Sequence, residues 1–235
     1  MYEESPLKKI SATVKTERIK EWNTAFPILR RYGSNKLLRI VDGFAIGVEL
    51  CWGRFDTSEY NPYICIDCIF SKYKPYAFFP YYERIEHITH KPLVCPTNNK
   101  IENIEEELKN LSNSHVINTI KHKEISVSEL INILEKHATS DRTVFGYLFS
   151  TYRAILYLYS IANISEQDKE YKYNYYMNEI NKNEEGFGRI YKDEYLLLKQ
   201  EIDLYFIEPE KIKQIIENNI NIKKFDKLNK TDLIL

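Results

Sequence analysis

A chain of 235 residues is long enough to bury a sizeable core as one large or two small domains. With 43% hydrophobic and 29% charged residues it is no disordered acidic or basic tail, and a formal net charge of −1 excludes the strong basic excess of a dedicated nucleic-acid binder. Only 7 Gly and 8 Pro leave few tight turns, which favours long helices over a many-stranded sandwich.

Charge is slightly asymmetric. Residues 1–98 hold 14 Lys/Arg against 11 Asp/Glu and the remainder 19 against 23, an offset that ordinary solvated faces explain. The 19 tyrosines read as a compositional habit before they read as a stacking surface for bases. The acidic N-terminus Met1-Tyr2-Glu3-Glu4-Ser5-Pro6 has no apolar core of a signal peptide. A cytoplasmic setting with reduced thiols is therefore expected for the four cysteines. The most apolar run, Val144 to Ala162, carries Arg153, Ser150, Thr151 and several tyrosines, so it reads as a buried helix and not a membrane span.

In chain order, residues 1–13 form a polar lead-in. Val14 to Arg31 has Ile19, Trp22, Ala25, Phe26 and Leu29 on one side of a helix that Pro27 should kink or end. Leu37–Val41 and Phe44–Trp52 flank Asp42-Gly43, a hairpin signal. A two-residue loop would place Arg39 on one face with Ile46 and Val48. A three-residue loop pairing Val41 with Ala45 is expected instead, because it keeps Arg39 beside Glu49 in solvent and groups Leu38, Ile40, Ile46 and Val48. After a polar connection over residues 53–62, Tyr63–Phe70 alternates as a third strand. Residues 72–75 or 77–82 supply an edge strand or loop around Pro80.

From Asn98 onward the period becomes helical. Ile101, Ile104, Leu108 and Leu111 repeat at helical spacing, and Ser126-Val127-Ser128-Glu129 matches a capping box. Phe145, Leu148, Phe149, Tyr152, Ile155, Leu156 and Tyr159 form a stripe with further apolar residues outside it, as in a central helix packed on several sides. Ser165 and Asp168 open another helix through Ile180. Gly186 and Gly188 separate it from Tyr191–Phe206, and Pro209 fits the first turn of a last helix. The Asn-rich stretch from Asn218 and the tail after Lys227 are expected to fray. The fold class is α+β: an N-terminal helix and an antiparallel meander of three or four strands over 1–97, then about six helices over 98–235, packed on the sheet or forming a second subdomain.

No motif of high specificity for a nucleophile, a phosphate or a dinucleotide is present. Cys65 and Cys68 form a C-x-x-C with His87 and His90 downstream, the right donors for zinc. On a strand, however, cysteines three apart point to opposite faces, so buried thiols are expected and no metal or other cofactor. Glu49 and Asp67, mid-strand on one outer face, are the carboxylates that a metal-dependent hydrolase or nuclease would use, yet neither is followed two residues on by the customary lysine. His137 at a helix C-terminus fits compensation of the helix dipole. Lys8, Lys9, Lys15, Arg18, Arg30 and Arg31 are the cations a nucleic acid would meet, although nucleic acid is not the expected partner.

The most unusual local feature is the aromatic cluster Tyr73, Tyr76, Phe78, Phe79, Tyr81 and Tyr82 with Arg84, side chains favoured as interface anchors. A second surface comprises Tyr171, Lys172, Tyr173, Tyr175 and Tyr176, where helical spacing can bury only some of the rings. The reading is a non-catalytic cytoplasmic module that binds another protein, with the metal-dependent hydrolase as the alternative. No family is recognised from specific motifs. At the level of fold alone, a small meander behind an N-terminal helix resembles bacterial immunity and accessory proteins, which implies an immunity or adaptor role.

Overall fold

The computed structural model describes residues 10–53, 58–71, 79–97, 101, 103–141 and 143–235. Tyr73, Tyr76 and Phe78, together with Lys8 and Lys9, lie outside the described residues. The first helix, α1 (Ala12–Ala25), is capped by Ser11, whose hydroxyl accepts the Val14 amide at 3.2 Å. It stops short of Pro27. Asn23 then donates to the carbonyls of Phe26 and Leu29, which the break leaves without helical partners. Ile19, Trp22, Ala25, Phe26 and Leu29 are all buried as the spacing predicts. Arg30 and Arg31, expected at the helix end, belong instead to a short strand β1 (Arg30–Tyr32).

Five strands form an antiparallel meander in chain order: β1, β2 (Lys36–Val41), β3 (Phe44–Trp52), β4 (Glu59–Cys68) and β5 (Tyr81–Arg84). The sheet is thus one strand wider than the widest expectation. The short β6 (Cys95–Pro96) pairs with the start of β4.

The β2–β3 turn corrects the sequence reading. Val41 pairs with Phe44, so the loop holds only Asp42 and Gly43, and Arg39 lies opposite Ile46. The reason is tertiary. Tyr157 of the central helix donates to Asp42 Oδ1 at 2.8 Å and lays its ring over Gly43, where any Cβ would come within 2.9 Å of it. Phe70 then stacks on that ring and Phe44 meets it edge-on. Leu38 and Ile40 therefore face away from the helices with Gly47 and Ala45, and Arg39 faces inward with Leu37, Val41, Ile46 and Val48. Gly47 is fixed by close approach, because a Cβ there would meet the Leu37 carbonyl oxygen at 1.9 Å.

The helical part begins with α2 (Ile104–Glu107) and α3 (Ser114–Lys121), then β7 (Ile125–Ser126) and α4 (Val127–Ala138), whose capping box forms between Ser126 and Glu129 as expected. Next come α5 (Phe145–Ile161), α6 (Glu166–Lys182), α7 (Glu184–Tyr191), α8 (Glu194–Ile207) and α9 (Pro209–Ile222). Helix α5 contacts α4, α6, α7 and α8 and reaches the sheet through Tyr157, which makes it the central helix. Gly186 and Gly188 sit inside α7 and do not separate helices. The break falls at Lys192, with a φ of 52°.

The C-terminus does not fray. Asn219, buried in α9, donates to the carbonyls of Ile69 and Ser71. Two short strands follow: β8 (Lys230–Thr231) runs parallel to β2 along its free edge, and β9 (Leu233–Ile234) runs parallel to β7. One cluster of buried residues extends from Ile19 in α1 through the sheet and helices to Leu233.

Candidate functional site

Strand β4 alternates as its sequence says. Ile64, Ile66 and Cys68 face the helices, whereas Tyr63, Cys65 and Asp67 face outward. The two cysteines of the C-x-x-C therefore diverge across the sheet. Burial pushes the Cys65 thiol up to about 12 and also raises Cys68, so both remain protonated at neutral pH. His87 and His90 sit in a turn where the His90 amide donates to the His87 carbonyl. Among the described residues no group of three or more His, Cys, Asp or Glu side chains converges as metal ligands would.

Glu49 and Asp67 do share the outer face, but Asp67 pairs with Ala45, four positions along β3 from Glu49. That spacing is about 13 Å, too far for one ion to bridge. Each carboxylate is held by its own lysine. Lys36 meets Glu49 at 3.1 Å, with Asn35 on the other oxygen, and Lys223 meets Asp67 at 3.6 Å. The expected Arg39–Glu49 pair does not form, because the turn puts Arg39 on the opposite face.

The aromatic segment is divided by the same alternation. Tyr81 is core and donates to Glu83. On the outer face Phe79, Tyr82 and Tyr63 stack in series at 5.1 and 4.7 Å, with the Lys36 ammonium over Phe79 at one end and Arg84 over Tyr63 at the other. Tyr82 is thus covered on both ring faces, and its hydroxyl lies 3.0 Å from Cys51 Sγ. A ring stacked on both sides offers no face to a base, which argues against single-stranded nucleic acid here. Of the amino-terminal cations, Arg18 is buried and paired with Glu21 at 2.9 Å.

Two buried polar clusters escaped the sequence reading. His137 Nδ1 lies 3.0 Å from Glu83 Oε1, which joins α4 to β5 and resembles two members of a catalytic triad. The imidazole is buried, and among the described residues its Nε2 has no hydrogen-bond partner and no nucleophile is held against it. In the second cluster Arg153 Nη2 meets Glu201 Oε2 at 2.5 Å, Ser71 Oγ at 2.9 Å and the Tyr205 hydroxyl at 3.0 Å, all inside the core. Ser71, Tyr205 and Glu201 lie 82, 52 and 48 positions from Arg153; Glu201 and Tyr205 are one turn apart on α8, but no local pattern links them to Arg153.

A further exposed aromatic surface lies on α6. Tyr176 and Ile180 are buried, whereas Tyr171 and Tyr175, one turn apart, are 67% and 50% exposed. They border a groove of about 310 Å³ lined by Glu135 and Ala138 of α4 and its C-cap Thr139, Tyr152 of α5, and Tyr171, Lys172, Tyr175, Tyr176 and Glu179 of α6. At its floor Glu135 Oε1 accepts from Tyr176 at 2.7 Å, Tyr159 at 2.8 Å and Lys172 at 3.3 Å. Burial alone would raise this carboxyl, but the two tyrosine hydroxyls and Lys172 outweigh it and hold it below the ordinary glutamate value. No family model, curated protein or solved structure matches this chain. Among the described residues no helix is long and apolar enough to cross a membrane.

Proposed function

We propose that this chain is a non-catalytic module that binds another protein, and that the partner docks on α6 at the groove shared with α4 and α5. The observation that carries this reading is the exposure of Tyr171 and Tyr175 on one helix face beside a preformed groove. Tyrosine brings large area at low entropic cost and keeps a polar tip, and for that reason it anchors interfaces. A second support is chemical. The carboxylate–imidazole pair found among the described residues, Glu83–His137, has its imidazole buried, and the outer carboxylates Glu49 and Asp67 are separated and each matched by a lysine.

The test is comparative capture from native host lysate at physiological salt, with the full chain and its Tyr171→Ala/Tyr175→Ala variant as paired baits. One protein should be recovered by the wild type and fall about tenfold with the variant, whose thermal midpoint stays unchanged. Equal recovery by both baits, or none by either, overturns the proposal.

A further inference from the structure

We infer that the α4–α5–α6 groove is built for a guanidinium, and that the partner's anchoring side chain is an arginine presented on a basic segment. This rests on the protein-binding reading above and specifies its chemistry. Four tyrosines line the groove: Tyr152, Tyr171, Tyr175 and Tyr176. Their rings are not stacked flat on one another. Tyr175 stands at 88° to Tyr176, and Tyr152 is tilted 45° from it, so ring faces of differing orientation meet around one space. Aromatic faces arranged in this way carry negative potential and attract a cation.

The floor supplies the counter-charge. Among the described residues, every hydrogen bond the Glu135 carboxylate accepts goes to Oε1, so that Oε2 has no partner among them. Glu179 adds a second carboxylate on the lining, with Lys182 on its Oε1 at 2.5 Å. The molecule already displays the recognition in miniature. The Lys172 ammonium lies 4.8 Å from the Tyr159 ring centroid and 3.3 Å from Glu135, held by one ring and one carboxylate together.

Lys172 also decides which cation is wanted. It takes the place of a compact ammonium on Oε1, so what remains is a free oxygen edge beside exposed flat rings. A planar guanidinium stacks on such rings, donates to the oxygen in its own plane and sheds water more readily than an ammonium does.

Three fluorescein-labelled hexapeptides provide the probe: Gly-Ser-Arg-Ser-Arg-Gly and its Lys-for-Arg and Glu-for-Arg counterparts, titrated by anisotropy against the full chain at low and high salt. The arginine peptide should bind saturably and more tightly than the lysine peptide, with no saturation by the glutamate peptide. Tyr175→Ala should weaken the arginine peptide about tenfold, while Tyr175→Phe, which keeps the ring, should stay within twofold of wild type. Glu135→Gln should also weaken it. Should that variant be unstable, the exposed Tyr175 pair carries the test alone. Absence of saturable arginine-peptide binding, binding unchanged by Tyr175→Ala, or equal binding of the glutamate peptide overturns the inference. If the captured protein still depends on Tyr171 and Tyr175 while the arginine peptide fails, the guanidinium assignment falls and the protein-binding reading stands.

Discussion

Arg39 in the sheet layer and Arg153 in the helical layer are both buried, at 0% and 1% exposure, but their surroundings are opposite. Arg153 is answered by Glu201, Ser71 and Tyr205. Burial works against its charge, and Tyr205 and Glu201 outweigh that cost and hold the guanidinium above its ordinary value. Arg39 meets no carboxylate among the described residues. Nη1 donates to the Lys123 carbonyl at 3.0 Å, Nε and Nη2 have no partner among the described residues, and burial lowers the group to about 10. One arginine was built into the core with its partners. The other was carried there by a turn. A tight hairpin locked by Tyr157 dictated the register of β2, and the side chain followed.

The largest expected effect tests what the two layers share, which is the exclusion of new charge. Burial raises Tyr60 and Tyr81 in the sheet layer and Tyr157, Tyr191 and Tyr205 in the helical layer above the ordinary tyrosine value near 10, with Tyr191 reaching about 12. A folded-state value above the unfolded one means that the native protein binds more protons once the pH passes 10. Their contribution to stability is therefore complete below pH 10 and is lost as the pH rises beyond it. Each fully buried ring should cost about 1 kcal/mol by pH 11, several of them together more than any single substitution below. Urea unfolding at pH 8 and pH 11, with tyrosinate absorbance as a second signal, checks this. Ionisation of all 19 tyrosines by pH 11 without loss of structure would show that the buried rings are open to solvent.

How much of this contrast could be read beforehand depended on distance along the chain. The capping box at Ser126, the Ser165 cap, the alternation in β4 and the central helix were legible because each rests on neighbours within a turn or a strand. The exposed tyrosines of α6 were legible too, since one helix face cannot bury four rings in six residues. Arg153 left a trace as the one charged residue in the apolar run from Val144 to Ala162, but nothing local pointed to Glu201. The hairpin register was misjudged because solvating Arg39 looked decisive. The winning term was Tyr157, 115 residues from Asp42. The ordered C-terminus was missed for the same reason, because Asn219 and β8 are held by Ile69, Ser71 and β2 across 148 residues or more.

Next in size is the removal of Arg153's counter-charge. Glu201→Gln keeps the shape but leaves a buried guanidinium without its anion, and should lower stability by about 3 kcal/mol, read as a shift of the urea midpoint with an unchanged slope. The double variant Arg153→Met/Glu201→Leu removes both charges and should recover most of that loss, since the pair's attraction mainly repays its own desolvation. A single variant as stable as the wild type would show that Arg153 is not charged in the core, and the contrast with Arg39 would collapse.

The smallest effect is expected at Arg39. Its folded-state value near 10 lies below the ordinary one, so at neutral pH the native state bears the cost of keeping this guanidinium charged, and that cost is relieved only as the pH climbs through 10. Arg39→Met abolishes the cost and keeps a long apolar side chain beside Ile46 and Val48. Against this stands the Lys123 carbonyl, which loses its donor at a cost of about 1 kcal/mol. The two terms oppose each other, and the variant should lie within about 1 kcal/mol of wild type at pH 7, with a slightly smaller gap in its favour at pH 10 than at pH 7. If Arg39→Met instead loses as much as Glu201→Gln, the two unpartnered nitrogens must serve a bound anion. Repeating the midpoint with and without 200 mM chloride or phosphate, which would stabilise the wild type alone, decides whether the sheet layer buried its arginine by register or by need.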